Sequence, residues 1–174
     1  MRVAVAVTGA SGAHLGIRLY RELPSSIQKY LILTRNAKTV FEKEGLKKFF
    51  DAEEIWHGPA SGSFGLDILF IAPCSMNTLA KIAVGIADDL VTRAAAVAIK
   101  EKKTLLLAPR EIPFSPLALE NMLKLSRLNV IIAPPVLGYY SGPKNLEEME
   151  NFIVGRWMDL VGIENDLYKR WKGS

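Results

Sequence analysis

A three-layer αβα fold, with a doubly wound parallel sheet flanked by helices, is predicted by three features of this 174-residue sequence. Short apolar runs bounded by turn residues recur along it, and stretches with helical spacing separate them. Glycine, proline, small hydroxyl residues and arginine gather just after the runs, where an open α/β sheet presents its ligand-binding edge.

The first run, residues 3–7, carries β-branched Val3, Val5 and Val7, as expected of a strand covered on both faces. Residues 31–33, 68–72, 105–108 and 130–133 repeat that pattern. Helical spacing occupies 15–23, 36–48, 77–84, 91–100 and 117–128, and a longer amphipathic segment covers 146–161. The remainder, 163–174, is a tail that beyond Ile163 is polar except at Leu167, Tyr168 and Trp171. With neither a repeat nor an interdomain linker, the chain reads as one domain, 1–174, of a size that holds one core and one site.

Composition narrows the function. One cysteine excludes an intrachain disulfide framework, and with only two histidines it argues against a transition-metal site. The start of the chain lacks the basic segment and cleavage site of a signal peptide, and no apolar run reaches the roughly 20 residues that span a bilayer. A cytoplasmic protein with neither nucleic-acid nor membrane partners is expected, since the net charge of +4 comes from lysines and arginines scattered among acids. Anionic small molecules suit that charge better, and the 49% apolar content suggests subunit contacts.

Gly9, Gly12 and Gly16 in GASGAHLG follow a strand and open a helix, so the backbone can approach a phosphate there; a tight strand-to-helix turn is the simpler alternative. A dinucleotide site would want an acid after the second strand, where Thr34 and Arg35 stand, so NAD is disfavoured. Tyr140 and Lys144 match the spacing of a YxxxK pair, but Gly142 and Pro143 break the helix such a pair needs. Arg93 and Lys100 share a helix face and are either solvated cations or anion ligands. Arg110 and Glu111 directly follow a buried strand, where a guanidinium could take a phosphate and a carboxylate could exchange protons. Glu44 extends the apolar stripe of Ala37, Val40 and Phe41, and either has a role or merely ends the stripe. Cys74 lacks a neighbouring histidine and reads as a small packing residue.

Taken in order, GASGAHLG, SGSF, PCSMNTLA, TRAAAVAIKEKK, PREIPFSPLALENMLKLS, PPVLGYY and the final KRW resemble the flavin prenyltransferases that accompany ubiquinone-pathway and phenolic-acid decarboxylases. The resemblance runs from Arg2 to Trp171 and implies flavodoxin/Rossmann-like subunits in a homododecamer. It also implies reduced FMN as prenyl acceptor, dimethylallyl monophosphate or diphosphate as donor, no metal, and a UbiD-type decarboxylase as recipient of the prenylated FMN. By that similarity Gly9, Ala10, Ser11, Thr34, Ser75, Met76, Asn77, Thr78 and Arg110 hold FMN. Arg93, Lys100, Arg110, Glu111, Tyr140 and Arg156 surround the donor phosphate, and Trp171 closes the pocket from the tail. Glu44 reaches the site of an adjoining subunit.

The chemistry expected from these residues has Lys100, Arg110, Tyr140 and Arg156 neutralise the departing phosphate while Ser11 and Glu111 carry protons. Four residues depart from the commoner family pattern: Thr34, Arg35, Asp89 and Ala96. The rival readings are an FMN-dependent peptidyl-cysteine-type decarboxylase, for which His14 and His57 are the candidate histidines, and a passive flavin carrier.

Overall fold

A parallel strand covered on both faces has no position to give to water, and the central strands meet that demand. β1 (Arg2–Val7) is buried from Val3 onward, and β4 (Ile68–Cys74) is buried throughout. The computed structural model describes residues 1–9, 11–41 and 49–171, without the side chains of 39–41. It divides into two compact units, Met1–Pro134 and Pro135–Ser174.

The first unit adds β2 (Gln28–Leu33), β3 (Phe50–Asp51), β5 (Thr104–Pro109) and β6 (Ile131–Ile132) to the sheet. Its six strands run in the order β3-β2-β1-β4-β5-β6, and every recorded pairing is parallel. Such a sheet is mixed in connection but not in direction, because the chain builds outward from β1 first one way and then the other. The reversal falls between β1 and β4.

Strand alternation sorts the helices onto the two faces. Val7 faces α1 (Ala13–Glu22), which packs on β1 and β4 and touches α2 (Arg35–Phe41). Ala4, Ala6, Leu69, Ile71, Leu105 and Leu107 point the other way, into a core shared with α3 (Met76–Val84), α4 (Leu90–Lys100) and α5 (Pro116–Ser126). These are the layers of a flavodoxin-like αβα sandwich. All five apolar runs predicted as strands are present; β2 begins three residues earlier than its run because only its carboxyl half is fully buried. The two-residue β3 was beyond the pattern, being short and half-buried.

Asp89 has a local role that its departure from the family pattern did not suggest. Its carboxylate accepts from Thr92 N at 2.8 Å while Thr92 Oγ1 accepts from Asp89 N at 3.2 Å, a reciprocal cap that starts α4. Ala96 lies on the exposed side of that helix.

The second unit is α6 (Leu146–Leu160) and the segment after it. Asn145 caps the helix by accepting from Glu148 N at 2.9 Å, and Glu147 and Glu148 sit in its first turn, where acids favour the helix dipole. No described helix in either unit is long and apolar enough to cross a membrane.

Gly16 sets how closely α1 lies on the sheet. A Cβ added there would stand 1.9 Å from the Ala72 carbonyl oxygen and 2.8 Å from Val7 Cγ2. Gly16→Ala is expected to destabilise the protein by about 2–3 kcal/mol as the helix lifts off its strands, measured as a lower midpoint in urea unfolding. An unchanged midpoint would show that α1 can move away without cost.

Candidate functional site

The carboxyl edge of the sheet is knitted together by one buried hydroxyl. Thr8 follows β1 and is 1% exposed. Its Oγ1 donates to the Pro73 carbonyl at 2.9 Å and accepts from Ser75 N at 2.9 Å, so the loop after β1 is tied to the loop after β4. On one side Thr34 N donates to the Val7 carbonyl at 3.2 Å; on the other Arg110 N donates to the Cys74 carbonyl at 3.3 Å. The loops after β1, β2, β4 and β5 are thereby held along the edge where the strand order reverses, the position at which open α/β sheets bind ligands.

The first of these loops is built for close approach. Gly12 adopts φ +92° at the start of α1, and no side chain caps that helix. Its opening N–H groups are oriented for an anion. Gly9 lies against Asn36, whose Cβ would be 2.9 Å from any Cβ placed on Gly9. The side chain of Arg110 passes over the loop, with its Cδ 3.8 Å from where a Cβ of Gly12 would stand. Ser11 is exposed beside them. Backbone donors, the Arg110 side chain and a short hydroxyl thus border one loop, residue types suited to a phosphate monoester.

Thr34 is half-buried at the end of β2, and its Oγ1 hydrogen-bonds the Val7 carbonyl at 3.3 Å. In the Ser75–Thr78 turn, Ser75 Oγ accepts from Thr78 N at 3.2 Å and lies 2.9 Å from Thr78 Oγ1. Those hydroxyls are engaged in starting α3, which leaves exposed Asn77 and half-buried Met76 as the members of the turn open to a ligand. Glu111 is exposed next to Arg110, one of its oxygens accepting from Ile112 N at 3.1 Å. Ala10 and Glu44 lie outside the described residues.

Lys100 is not beside Arg110 within the chain. Helix α4 begins where Leu90 N donates to the Ala52 carbonyl, past the carboxyl end of β3, and runs back to the amino edge, where β5 starts at Thr104. The six residues of β5 then separate the two cations by about 20 Å of strand. Lys100 is 68% exposed and pairs with Glu101 at 3.1 Å. Arg93, also exposed, is at the other end of α4. The expectation that Lys100 and Arg110 flank one phosphate is therefore not met inside a single copy, because they stand at opposite edges of the sheet.

The second unit contains Tyr140, Arg156 and Trp171. Tyr140 packs edge-on against Phe152 at 5.5 Å and Trp171 at 6.1 Å between ring centroids. It lies in a short 3-10 turn, Tyr139–Ser141, ended by Gly142 at φ +64°, so Tyr140 and Lys144 share no helix and the YxxxK match has no structural content. Arg156 Nη1 contacts Asp159 at 3.3 Å and the Tyr168 hydroxyl at 3.5 Å.

Asp159 is a residue that motif reasoning passed over. It accepts from Tyr168 Oη at 2.5 Å, Arg170 Nη1 at 2.7 Å, Arg170 Nη2 at 2.8 Å and Asn165 Nδ2 at 2.9 Å. Burial pushes its carboxyl upward, but these donors, Arg170 foremost, outweigh burial and hold it below the ordinary carboxylate range. The only local sign was the i, i+3 spacing of Arg156 and Asp159 on α6. Thr8 and Asn36 were equally silent, since each acts through a contact across the sheet edge.

Two of the three rival catalytic groups find other uses. Cys74 is buried in the core, and burial pushes its thiol upward, away from thiolate chemistry. His57 pairs with Glu54 at 2.7 Å ahead of the 3-10 turn Gly58–Ala60, and His14 is exposed in the first turn of α1. Among the described residues no group of three or more His, Cys, Asp or Glu could hold a metal ion.

Comparison with known proteins places these observations in a family context. The Flavoprotein family profile matches residues 1–158. Flavin prenyltransferase UbiX of Campylobacter jejuni is 46% identical, over 99% of both chains. A dodecameric FMN-dependent UbiX-like decarboxylase from Escherichia coli O157:H7 superposes with TM-score 0.92 at 38% identity, covering 99% of this chain and 100% of that one. AnUbiX (PadA1), solved in complex with FMN and dimethylallyl pyrophosphate, superposes with TM-score 0.93 at 34% identity, over 99% of this chain and 98% of that one.

The acidity of Asp159 yields a pH prediction. A carboxyl whose folded pKa is depressed contributes stability above its unfolded value, about 4, and loses it as pH falls through the folded value. Asp159→Asn should therefore lower the unfolding midpoint at pH 7, with the gap to the unmodified protein narrowing below pH 4. A gap independent of pH over thermal melts from pH 7 to pH 3 would show that charge is not what Asp159 supplies.

Proposed function

The chain belongs to the flavin prenyltransferases, within the Flavoprotein family, and from that premise we propose that it joins a dimethylallyl group to N5 and C6 of reduced FMN. The donor is dimethylallyl monophosphate, with the diphosphate as the alternative that the AnUbiX complex suggests. The prenylated flavin then serves a UbiD-type decarboxylase. The reaction uses no metal, and the cytoplasm is the proposed setting. The observation that carries the proposal is the sheet edge tied by Thr8, where Arg110 overlies the Gly12 turn at an uncapped helix start.

The residues at that edge fit a flavin mononucleotide. Gly9 and Gly12 leave room for its phosphate, the start of α1 and Arg110 balance the charge, and Ser11, Thr34 and Asn77 offer short polar groups along the loops. When bound in reduced form, the flavin supplies an electron-rich ring with nucleophilic N5 and C6. The donor's C–O bond breaks and its phosphate leaves with the electron pair, so cations gathered around that phosphate lower the barrier. Arg110, Arg156 and Tyr140 are assigned to that task, and Trp171 to excluding water. Ser11 and Glu111, exposed at the first and fourth loops of the edge, would hold and move the protons that balance the two bonds: one released from N5, one added to the prenyl double bond and one released from C6.

Lys100 serves a neighbouring copy in this reading, and Arg93, at the opposite end of α4, is assigned to the donor phosphate on the family resemblance alone. The position of Lys100 at the amino edge supports the first assignment, as does the dodecameric state of the Escherichia coli relative, which we extend to this chain. Glu44 is assigned to an adjoining copy on the family resemblance alone.

Mixing the protein with reduced FMN and dimethylallyl phosphate without oxygen should raise the mass of the released flavin by one prenyl unit; an unchanged mass with both molecules bound would defeat the proposal. Glu111→Gln should lower kcat by about 10²- to 10⁴-fold while FMN affinity is nearly retained, and equal losses in both would remove its role in proton transfer. Lys100→Ala and Arg110→Ala, each inactive alone, should recover part of the activity when co-expressed. Absence of any recovery in verified mixed assemblies would defeat the assignment of Lys100 to a neighbouring copy's site.

A further inference from the structure

The tail does not merely follow α6; it is fastened along it. Gly155 provides the seat, because a Cβ there would lie 2.6 Å from Tyr168 Cδ1 and 2.8 Å from Asn165 Oδ1. Asn165 Nδ2 donates to the Gly155 carbonyl at 3.2 Å as well as to Asp159. Tyr168 lays its ring against Phe152 at 5.0 Å, and Phe152 in turn meets Tyr140, which meets Trp171. A line of aromatic contacts therefore leads from the hydroxyl held by Asp159 to the rings of Tyr140 and Trp171.

The same carboxylate is a direct partner of Arg156. Of the guanidinium's five N–H donors, those on Nη1 face Asp159 and Tyr168, and the side chain stays 42% exposed, so it is anchored at one end and open at the other. A cleft of about 680 Å³ lies beside this cluster, lined in part by Arg156, Asp159, Asn165 and Arg170. Acids balance the arginines there, since Glu164 and Asp166 also line it, so the cleft itself is not read as an anion site.

We infer that Asp159 is a positioning residue for the prenyl donor: it aims Arg156 and, by clasping Asn165, Tyr168 and Arg170, holds the tail so that Tyr140 and Trp171 keep their place. This rests on the assignment of Arg156, Tyr140 and Trp171 to the donor. The carboxylate itself touches no reacting atom. Its contribution is to replace the rotamer freedom of an arginine and a chain end with one arrangement, which is how ordering ahead of binding raises affinity.

The test compares Asp159→Ala, Asp159→Asn and Tyr168→Phe in the full-length protein. Asp159→Ala should raise the KM for dimethylallyl phosphate about tenfold, from loss of a charge-assisted hydrogen bond, while the Kd for FMN changes little. Trypsin should cut after Lys169 and Arg170 several-fold faster than in the unmodified protein, because the Arg170 fork is no longer held. Asp159→Asn, which keeps an acceptor oxygen, should restore part of both losses. Tyr168→Phe keeps its stacking on Phe152 and loses only the hydroxyl, so it should show a smaller shift in the same direction and decides the matter if the Asp159 variants do not fold. Tail cleavage and donor KM unchanged in a folded variant would overturn the inference, as would an equal loss of FMN affinity. If the unmodified protein transferred no prenyl group, the proposed function would fall, and the cleavage rates would still show whether Asp159 holds the tail.

Discussion

Neighbouring strands β1 and β4 send the helices that follow them to opposite faces, so the loops after the two strands diverge even though α1 packs across both strands. The crevice this opens is what makes the edge useful, and it also leaves the two loops without mutual support. Thr8 closes that gap with a hydroxyl that donates to Pro73 and accepts from Ser75. Because the hydroxyl is buried, each of these bonds would be costly to leave unmade. Everything assigned to the flavin depends on that tie: the Gly12 turn lies on one side of it, the α3 cap on the other, and Arg110 hangs from the Cys74 carbonyl next to it.

The second unit solves a related problem by different means. A polar tail buries too little apolar surface to order itself. Here three residues past the helix, Asn165, Tyr168 and Arg170, are held by charge-assisted bonds converging on Asp159, with Gly155 removing the side chain that would keep the tail away. Such convergence is favourable because the carboxylate is largely shielded from solvent, at 13% exposure, yet fully provided with donors. Stripped of them, the same group would carry the desolvation penalty alone.

The position of Lys100 links fold to assembly. In a doubly wound sheet the residue ending a helix and the residue ending the next strand belong to opposite edges, whatever their chemistry. A cation at the end of α4 can join a phosphate at a carboxyl edge only if that edge is another copy's. A large apolar fraction and several exposed apolar side chains, Ile112 and Leu117 among them, suit a chain that covers itself with further copies.

The parallel sheet and its layers were legible in the amino-acid order because strands buried on both faces must be continuous apolar runs and their crossovers must be helical. The glycine turn and the Arg110–Glu111 loop were legible for the same reason, since each directly follows such a run. Even the separation of Lys100 from Arg110 is implicit in the order of elements, with β5 between them. Other features exist only through contacts between residues far apart in the chain. Thr8 reaches Pro73, Asn36 backs Gly9, and Asp159 gathers Tyr168 and Arg170, and none of these pairings follows from a local pattern. Periodicity records which side of an element avoids water, whereas which hydroxyl or carboxylate meets which donor is decided only when packing brings loops and tail into register.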